Sequence, residues 1–155
     1  MKIAVVDDSK FTRMVIKQIL NDLSNTDFCW EAENGKVALE KNTRDPVDLI
    51  ISDLEMPVLD GLQLLKTVIG GEAETKCLLI SAFHKSNQPK IIDALKAGAI
   101  GFIEKNSLGK GFDINSLKKE IDKYINFLTQ DNILKKEIRP ISLENNLNKS
   151  VINNR

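Results

Sequence analysis

Five short apolar stretches recur along the chain, and longer amphipathic segments separate them. The stretches cover residues 3–6, 28–32, 49–52, 77–81 and 100–103. Consecutive hydrophobic residues dominate most of them, whereas a strand with one face in water would alternate between hydrophobic and polar side chains. Continuous hydrophobic runs are typical of strands buried on both faces, as in a parallel sheet covered by helices. The pattern therefore predicts five buried strands.

The intervening segments carry hydrophobic residues at helical spacing. Ser9 is a suitable N-cap for the first helix, and Gly98 suits the end of the fourth. The predicted helical stripes are Phe11, Met14, Val15, Ile19 and Leu23; residues 35–41; residues 62–69, ended by Gly70 and Gly71; Pro89 with Ile91, Ile92 and Leu95; and residues 114–128. Strands that alternate with helices five times favour an open α/β fold, with a parallel sheet and helices on both faces.

The character of the chain changes near Thr129. Residues 129–155 contain six asparagines, and Pro140 interrupts them. This composition predicts a helical continuation to about Lys136, followed by a linker or a loosely ordered tail. We therefore predict one domain over residues 1–128 and an extension over residues 129–155.

Composition narrows the range of functions. The 155 residues are 42% hydrophobic, which is enough for one core, and 22 basic residues balance 22 acidic ones. A balanced charge gives no support for binding nucleic acid or an anionic membrane, and no stretch is apolar enough to span a bilayer. Cys29 and Cys77 stand alone in apolar runs, which predicts buried thiols in a reducing compartment and hence a cytoplasmic location.

Charged and polar residues follow the apolar stretches where the strands should end. Asp7 and Asp8 follow the first stretch, Asp53 follows the third, Ser81 ends the fourth, and Lys105 comes just after the fifth. In an open α/β sheet, ligands bind beyond the carboxyl ends of the strands. We therefore expect these side chains to converge on one edge of the sheet.

This set of side chains suggests a particular chemistry. Three neighbouring carboxylates repel one another unless a cation lies among them, and oxygen ligands suit Mg²⁺. Lys105 can pair with Asp53 or with a bound phosphoryl group, and Ser81 can donate a hydrogen bond to that group. A carboxylate held beside Mg²⁺ and an amine is suited to accept a phosphoryl group.

The same residues carry a family resemblance, and the sequence resembles the receiver domain of bacterial response regulators. The matching residues are Val5-Val6-Asp7-Asp8-Ser9, Ser52-Asp53-Leu54-Glu55-Met56-Pro57, Asp60-Gly61, Ile80-Ser81-Ala82, Gly98-Ala99, Phe102-Ile103 and Lys105. Each piece alone is weak, but the full set in order is specific, and it covers roughly residues 1–128. The resemblance implies an open five-stranded parallel sheet in the flavodoxin-like order 2-1-3-4-5, an order carried over from that family.

The resemblance also implies a role for each matching residue. Asp53 would be the phosphoacceptor and Lys105 a phosphoryl contact. The implied Mg²⁺ ligands are Asp8 and Asp53, Asp7 through water, and Glu55 through its backbone carbonyl. Ser81 and Phe102 stand where the family has the hydroxyl and the aromatic ring that move on phosphorylation.

Partners follow from the same resemblance. The phosphodonor would be a phosphohistidine on a sensor histidine kinase or a phosphotransfer protein, or a small acyl phosphate. The output surface would be the face of the fourth helix, fifth strand and fifth helix, which would bind a downstream effector or a second copy of the chain. The expected chemistry is limited to the chain's own phosphorylation and dephosphorylation, with no direct contact to nucleic acid or membrane.

One position departs from the family pattern. The family usually has a proline after the lysine of the fifth strand, with a cis peptide bond, but Asn106 follows Lys105 here. A cis bond without proline costs ~3–4 kcal/mol. We therefore predict either a trans bond with a slightly displaced Lys105 or a strained cis bond.

Several residues near this edge have simpler interpretations. His84, the only histidine, is expected to face solvent, and Trp30 to pack in the core. Phe102 alone would also fit ordinary core packing. Gly61 is expected to supply a backbone angle that residues with a side chain resist.

Competing functions fit the sequence less well. A flavin binder would need a phosphate-binding loop after the first strand, where Asp7 and Asp8 place negative charge. An aspartyl phosphatase would need an Asp-x-Asp motif, and Asp53-Leu54-Glu55 matches it poorly.

Alternatives also remain within the family. Residues 53–61 and an insertion at residues 106–112 resemble the receiver of the chemotaxis protein-glutamate methylesterase, so the chain could be the regulatory end of such a multidomain protein. No hydrolase motif of the Gly-x-Ser-x-Gly type is present in these 155 residues. Residues 129–155 could instead serve as a docking segment.

Overall fold

A five-stranded parallel sheet forms the centre of the structure, a computed structural model that describes residues 1–105 and 113–138. The strands are β1 (Lys2–Val6), β2 (Asp27–Ala32), β3 (Leu49–Ser52), β4 (Lys76–Ser81) and β5 (Gly101–Glu104). Their order in the sheet is β2-β1-β3-β4-β5, and every neighbouring pair is parallel. The predicted sheet and its strand order are therefore confirmed.

A helix follows each strand. The helices are α1 (Lys10–Asp22), α2 (Gly35–Arg44), α3 (Gly61–Ile69), α4 (Gln88–Ala97) and α5 (Ile114–Ile138). Ser9 caps α1 by accepting a hydrogen bond from the Thr12 amide, and Gly98 ends α4 with a φ of 116° that favours glycine. Within the described part of the chain, no helix is long and apolar enough to cross a membrane.

The chain divides into two units, Met1–Ile121 and Asp122–Arg155. The first unit holds the sheet and the helices α1 to α4. In the second unit, Ile125 and Leu128 are buried and Phe127 is exposed. Helix α5 extends to Ile138, close to the predicted end of the helical continuation at about Lys136, whereas the predicted linker or tail lies outside the described residues.

Alternate side chains of the central strands pack on opposite faces of the sheet. Ala4 and Val6 join a core cluster with residues of α2, α3 and α4, whereas Ile3 and Val5 lie outside that cluster and are also fully buried. The edge strand β2 is less well covered, and Cys29 on it is only half-buried. The prediction that both cysteines are buried is therefore right for Cys77 and wrong for Cys29.

Helix α1 packs with a different face from the one predicted. Its buried residues are Thr12, Val15, Ile16, Ile19 and Leu20. Phe11 is 62% exposed and Met14 is 54% exposed, so both were wrongly assigned to the buried stripe. Hydrophobic residues occupy more than one face of this helix at helical spacing, and the face that carries Thr12, Ile16 and Leu20 is the buried one.

The loop between β3 and α3 is tightly folded against the end of β3. A side chain on Gly61 would collide with the backbone oxygen of Asp53, and the Gly61 amide donates to the carbonyl of Leu54 at 2.9 Å. The φ of Gly61 is not in the left-handed region, so the predicted reason for this glycine was wrong. Glycine is required here because the backbone passes so close to Asp53.

Val58 in the same loop has an unfavourable backbone conformation, with a φ of 71° and 75% of its side chain exposed. A left-handed conformation costs a β-branched residue ~1–2 kcal/mol, and asparagine tolerates it better. We therefore expect Val58→Asn to raise the free energy of unfolding by about 1 kcal/mol, measured by urea denaturation.

Asn25, with a φ of 65° and an exposed side chain, provides a control in which the substitution is reversed. Asn25→Val should lower the free energy of unfolding by a similar amount. A neutral result for both substitutions would show that these backbone conformations relax without cost.

Candidate functional site

Backbone hydrogen bonds extend the parallel ladder one residue past the strand ends and fix the backbone of three charged residues. The Asp53 amide donates to the carbonyl of Val6 at 2.8 Å, and the Lys105 amide donates to that of Ser81 at 2.7 Å. The Asp7 amide donates to the carbonyl of Ala32 at 3.1 Å. The carboxyl edge of the sheet therefore places these charged residues rigidly.

Three carboxylates meet at this edge, as predicted. One oxygen each from Asp7, Asp8 and Asp53 lies within 4.8 Å of the other two. Asp7 is 1% exposed and Asp53 is 7% exposed, whereas Asp8 is open to solvent. An oxygen-only set of this kind, with one open side, suits Mg²⁺, which retains several waters when it binds to protein carboxylates.

The Asp53 carboxylate is held by backbone amide, hydroxyl and amine donors. Its Oδ1 accepts hydrogen bonds from the Leu54 amide at 2.7 Å and from the Ser81 hydroxyl at 2.7 Å. Its Oδ2 lies 3.3 Å from the Lys105 amine. Sequence reasoning had placed Ser81 and Lys105 beside Asp53, and the structure brings them into contact with it.

Lys105 makes its shorter contact with Asp7, whose Oδ2 lies 2.7 Å from Nζ. Burial lowers the pKa of the Lys105 amine, but the hydrogen bond to Asp7 and the charge of Asp53 outweigh burial, so this pKa lies above its ordinary value. Burial raises the pKa of the Asp7 carboxyl and outweighs the hydrogen bonds from Lys105 and Ser9. The Lys105 amine thus stays charged. The hydrogen bonds to the buried Asp7 carboxylate do not fully offset the cost of burying its charge.

Two further predicted residues flank the carboxylates. Glu55 follows Asp53 by two residues, and its side chain lies 3.4 Å from His84 Nε2. His84 is exposed, as predicted, but its pairing with Glu55 was not predicted. Phe102 on β5 is partly buried and packs against the core cluster.

The structure also reveals a contact that the sequence reasoning missed. The guanidinium Nη1 of Arg13 donates a hydrogen bond to the backbone carbonyl of Asp7 at 2.7 Å. A sequence signal existed, because Arg13 lies one helical turn beyond the predicted N-cap Ser9. The Lys105–Asn106 peptide bond and the insertion at residues 106–112 lie outside the described residues.

The model for the response regulator receiver domain matches residues 3–122. Protein-glutamate methylesterase/protein-glutamine glutaminase 1 of Syntrophomonas wolfei is 35% identical over 122 residues, which are 79% of this chain and 34% of that protein. This chain thus spans about a third of that relative's length. Chemotaxis protein CheY of Bacillus subtilis is 36% identical over 125 residues, which are 81% of this chain and 98% of that protein.

One solved structure adds a comparison of the fold. The crystal structure of the P1 domain of CheA3 in complex with CheY6 from R. sphaeroides contains a chain that is 28% identical, with a TM-score of 0.65. The match covers 81% of this chain and 96% of that one.

The raised pKa of Asp7 leads to a prediction about stability and pH. The folded state binds the Asp7 proton more tightly than the unfolded state, so this group lowers stability as pH rises from its unfolded pKa through its folded pKa. In the absence of divalent ions, Asp7→Asn should raise the free energy of unfolding at pH 7 by about 1 kcal/mol. The gain should shrink as pH falls below the unfolded pKa, where both side chains are neutral.

Urea denaturation in EDTA at several pH values measures this difference. Asp8→Asn is the matched control, because it removes the same charge from an exposed position and should give a smaller gain. A loss of stability in Asp7→Asn at pH 7 would mean that the pairing with Lys105 outweighs the cost of burying the carboxylate.

Proposed function

The chain belongs to the response regulator receiver domain family, and we propose that Asp53 is its phosphoryl acceptor. The observation that carries this proposal is the surroundings of one carboxylate. Asp53 lies in a carboxylate cluster within 4.8 Å, with the Lys105 amine at 3.3 Å and the Ser81 hydroxyl at 2.7 Å. This combination supplies a nucleophile, a cation site and two donors for phosphoryl oxygens at one point.

The acidic cluster would hold Mg²⁺. Asp8 and Asp53 are the direct carboxylate ligands in this proposal, with Asp7 acting through water and Glu55 through its backbone carbonyl. The ion supplies positive charge to the oxygens of the transferring phosphoryl group. Asp8 is the open member of the cluster, which suits a ligand that meets a hydrated ion arriving from solvent.

In the transfer step, a carboxylate oxygen of Asp53 attacks the phosphorus of the donor. A bond forms between that oxygen and phosphorus, and the bond from phosphorus to the donor's nitrogen or oxygen breaks. The electron pair leaves with the donor group, an imidazole or an acetate. Lys105 lies within reach of the new charge and stabilises it, as positioned donors do in phosphoryl transfer.

Ser81 and Phe102 would convert this chemistry into a change of surface. The Ser81 hydroxyl donates to Asp53 in the unphosphorylated chain. A phosphoryl group offers stronger acceptor oxygens, so Ser81 would turn toward it and vacate the space that Phe102 then enters. The affected surface includes α4, where Ile92 and Leu95 are exposed and available to a partner.

The donor in this proposal is a phosphohistidine of a sensor kinase or phosphotransfer protein, encountered in the cytoplasm. The similarity to a chain from the complex of the CheA3 P1 domain with CheY6 supports a donor of this class. Chemotaxis is the favoured setting, since a CheY and several methylesterases are among the relatives.

A second candidate function is the regulatory portion of a longer methylesterase. It is favoured by relatives whose length is about three times that of the matched region. Asp53 and its surroundings would act in the same way, but the affected surface would then contact a hydrolase domain of the same protein.

Intact mass after incubation with acetyl phosphate and Mg²⁺ tests the proposed acceptor. The native chain should gain one phosphoryl group, and Asp53→Asn should gain none because it lacks the nucleophile. Chelation of Mg²⁺ should abolish the gain. Asp48→Asn is the matched control, since Asp48 lies just before β3 at the opposite end of that strand, where it accepts a hydrogen bond from the Lys2 amide. A phosphoryl group on the Asp53→Asn chain would overturn the assignment.

The length of the protein in its source cells separates the two candidate functions. An antibody to residues 1–105 should detect a species of about 155 residues if the chain acts alone. A species about three times as long would favour the regulatory portion of a methylesterase.

A further inference from the structure

Arg13 occupies an unusual place beside the carboxylate cluster. Its side chain is 13% exposed, and Nη1 donates a 2.7 Å hydrogen bond to the backbone carbonyl of Asp7. This contact reaches the backbone of the loop that carries two of the three carboxylates.

The position of Arg13 in α1 explains how this contact forms. The Arg13 amide donates to the carbonyl of the N-cap Ser9, so Arg13 lies one turn into the helix. Side chains on a helix point back toward its N-terminus. A long side chain at this position therefore reaches the loop between β1 and α1.

The contact completes the restraint of Asp7. The Asp7 amide donates to Ala32, Oδ1 accepts from the Ser9 amide at 2.8 Å, and Oδ2 accepts from Lys105. The carbonyl is the remaining polar group, and Arg13 holds it. That carbonyl belongs to the peptide unit that joins Asp7 to Asp8, and the plane of this unit sets the direction in which Asp8 projects.

The far side of the guanidinium is also held. Arg13 Nε lies 3.7 Å from Glu31 Oε1 on β2, and Lys17 Nζ lies 2.6 Å from Glu31 Oε2. The hydrogen bond from Lys17 lowers the pKa of Glu31 below its ordinary value. Glu31 thus links the guanidinium to the sheet. The two groups form an ion pair that is too long to be a hydrogen bond.

We propose that Arg13 is a positioning residue for Mg²⁺, which orients the exposed Asp8 carboxylate by fixing the Asp7–Asp8 peptide unit. The inference rests on the proposed function only in taking the acidic cluster as the Mg²⁺ site. Outer groups that orient metal ligands commonly affect metal affinity by 10-fold or more (about 10- to 100-fold).

Simple electrostatics predicts the opposite sign, which makes the inference testable. Arg13 carries a positive charge near a cation site, so removing that charge should strengthen Mg²⁺ binding if charge alone matters. A Coulombic effect between partly exposed groups should also fade as salt is added. Loss of orientation should weaken binding and persist at high salt.

Isothermal titration calorimetry with Mg²⁺ alone measures the affinity of the native chain and of Arg13→Met. We expect about 10-fold weaker binding in Arg13→Met at both low and high salt. Arg13→Lys should recover part of the loss, because an amine on a similar stem can still donate to the Asp7 carbonyl.

Lys17→Met is the matched control. It removes the same charge from the next turn of the same helix and loses the same partner, Glu31, but it leaves the Asp7 carbonyl bonded to Arg13. Its Mg²⁺ affinity should stay within about twofold of the native value or rise slightly, as expected for a charge effect alone.

At saturating Mg²⁺, the phosphorylation rate of Arg13→Met by acetyl phosphate should return close to the native rate.

The outcomes separate this inference from the proposed function. A native chain that binds no Mg²⁺ would contradict the proposed metal site. A native chain that binds Mg²⁺ while Arg13→Met binds equally or more tightly would overturn the role of Arg13. If Arg13→Met does not fold, Glu31→Gln provides the second variant, since it loosens the guanidinium without altering α1 and should weaken Mg²⁺ binding in the same direction.

Discussion

The repulsion between three carboxylates at one edge of the sheet is the constraint on which the rest of the structure depends. Burial is the largest cause of the raised pKa of Asp7, and the charge of Asp53 raises this pKa further. Lys105 offsets part of this repulsion through its contacts with Asp7 and Asp53. A bound cation would relieve the remainder. The folded chain therefore favours occupation of the site by positive charge.

Such a cluster persists only if its backbone cannot move apart. The sheet meets this requirement by continuing its hydrogen bonds past the strand ends at Asp7, Asp53 and Lys105. The close approach of Gly61 to the Asp53 carbonyl fixes the next loop in the same way. Burial and backbone bonding thus hold together side chains that would otherwise separate.

The sequence predicted what depends on local pattern. Apolar runs located the strands, and the residues that follow them located Asp7, Asp53, Ser81 and Lys105, because parallel strands share one carboxyl edge. The pattern could not decide which face of α1 is buried, since Phe11 and Val15 are both hydrophobic and only the packing distinguishes them. Nor could it show that Lys105 lies closer to Asp7 than to Asp53, because both carboxylates lie at the same edge.

The two sides of the site differ in how many contacts hold them, with Asp7 on one side and Ser81 on the other. Asp7 is held through its amide, its carbonyl and both carboxylate oxygens. The Ser81 hydroxyl donates to a single acceptor, Asp53 Oδ1, and that acceptor is the group that chemistry would modify. A new phosphoryl group on Asp53 would therefore leave the contacts of Asp7 in place. It would remove the hydrogen bond to Asp53 that positions the Ser81 hydroxyl. Because only the loop of residues 82–87 separates β4 from α4, a change at Ser81 has a short route to the surface that a partner would contact.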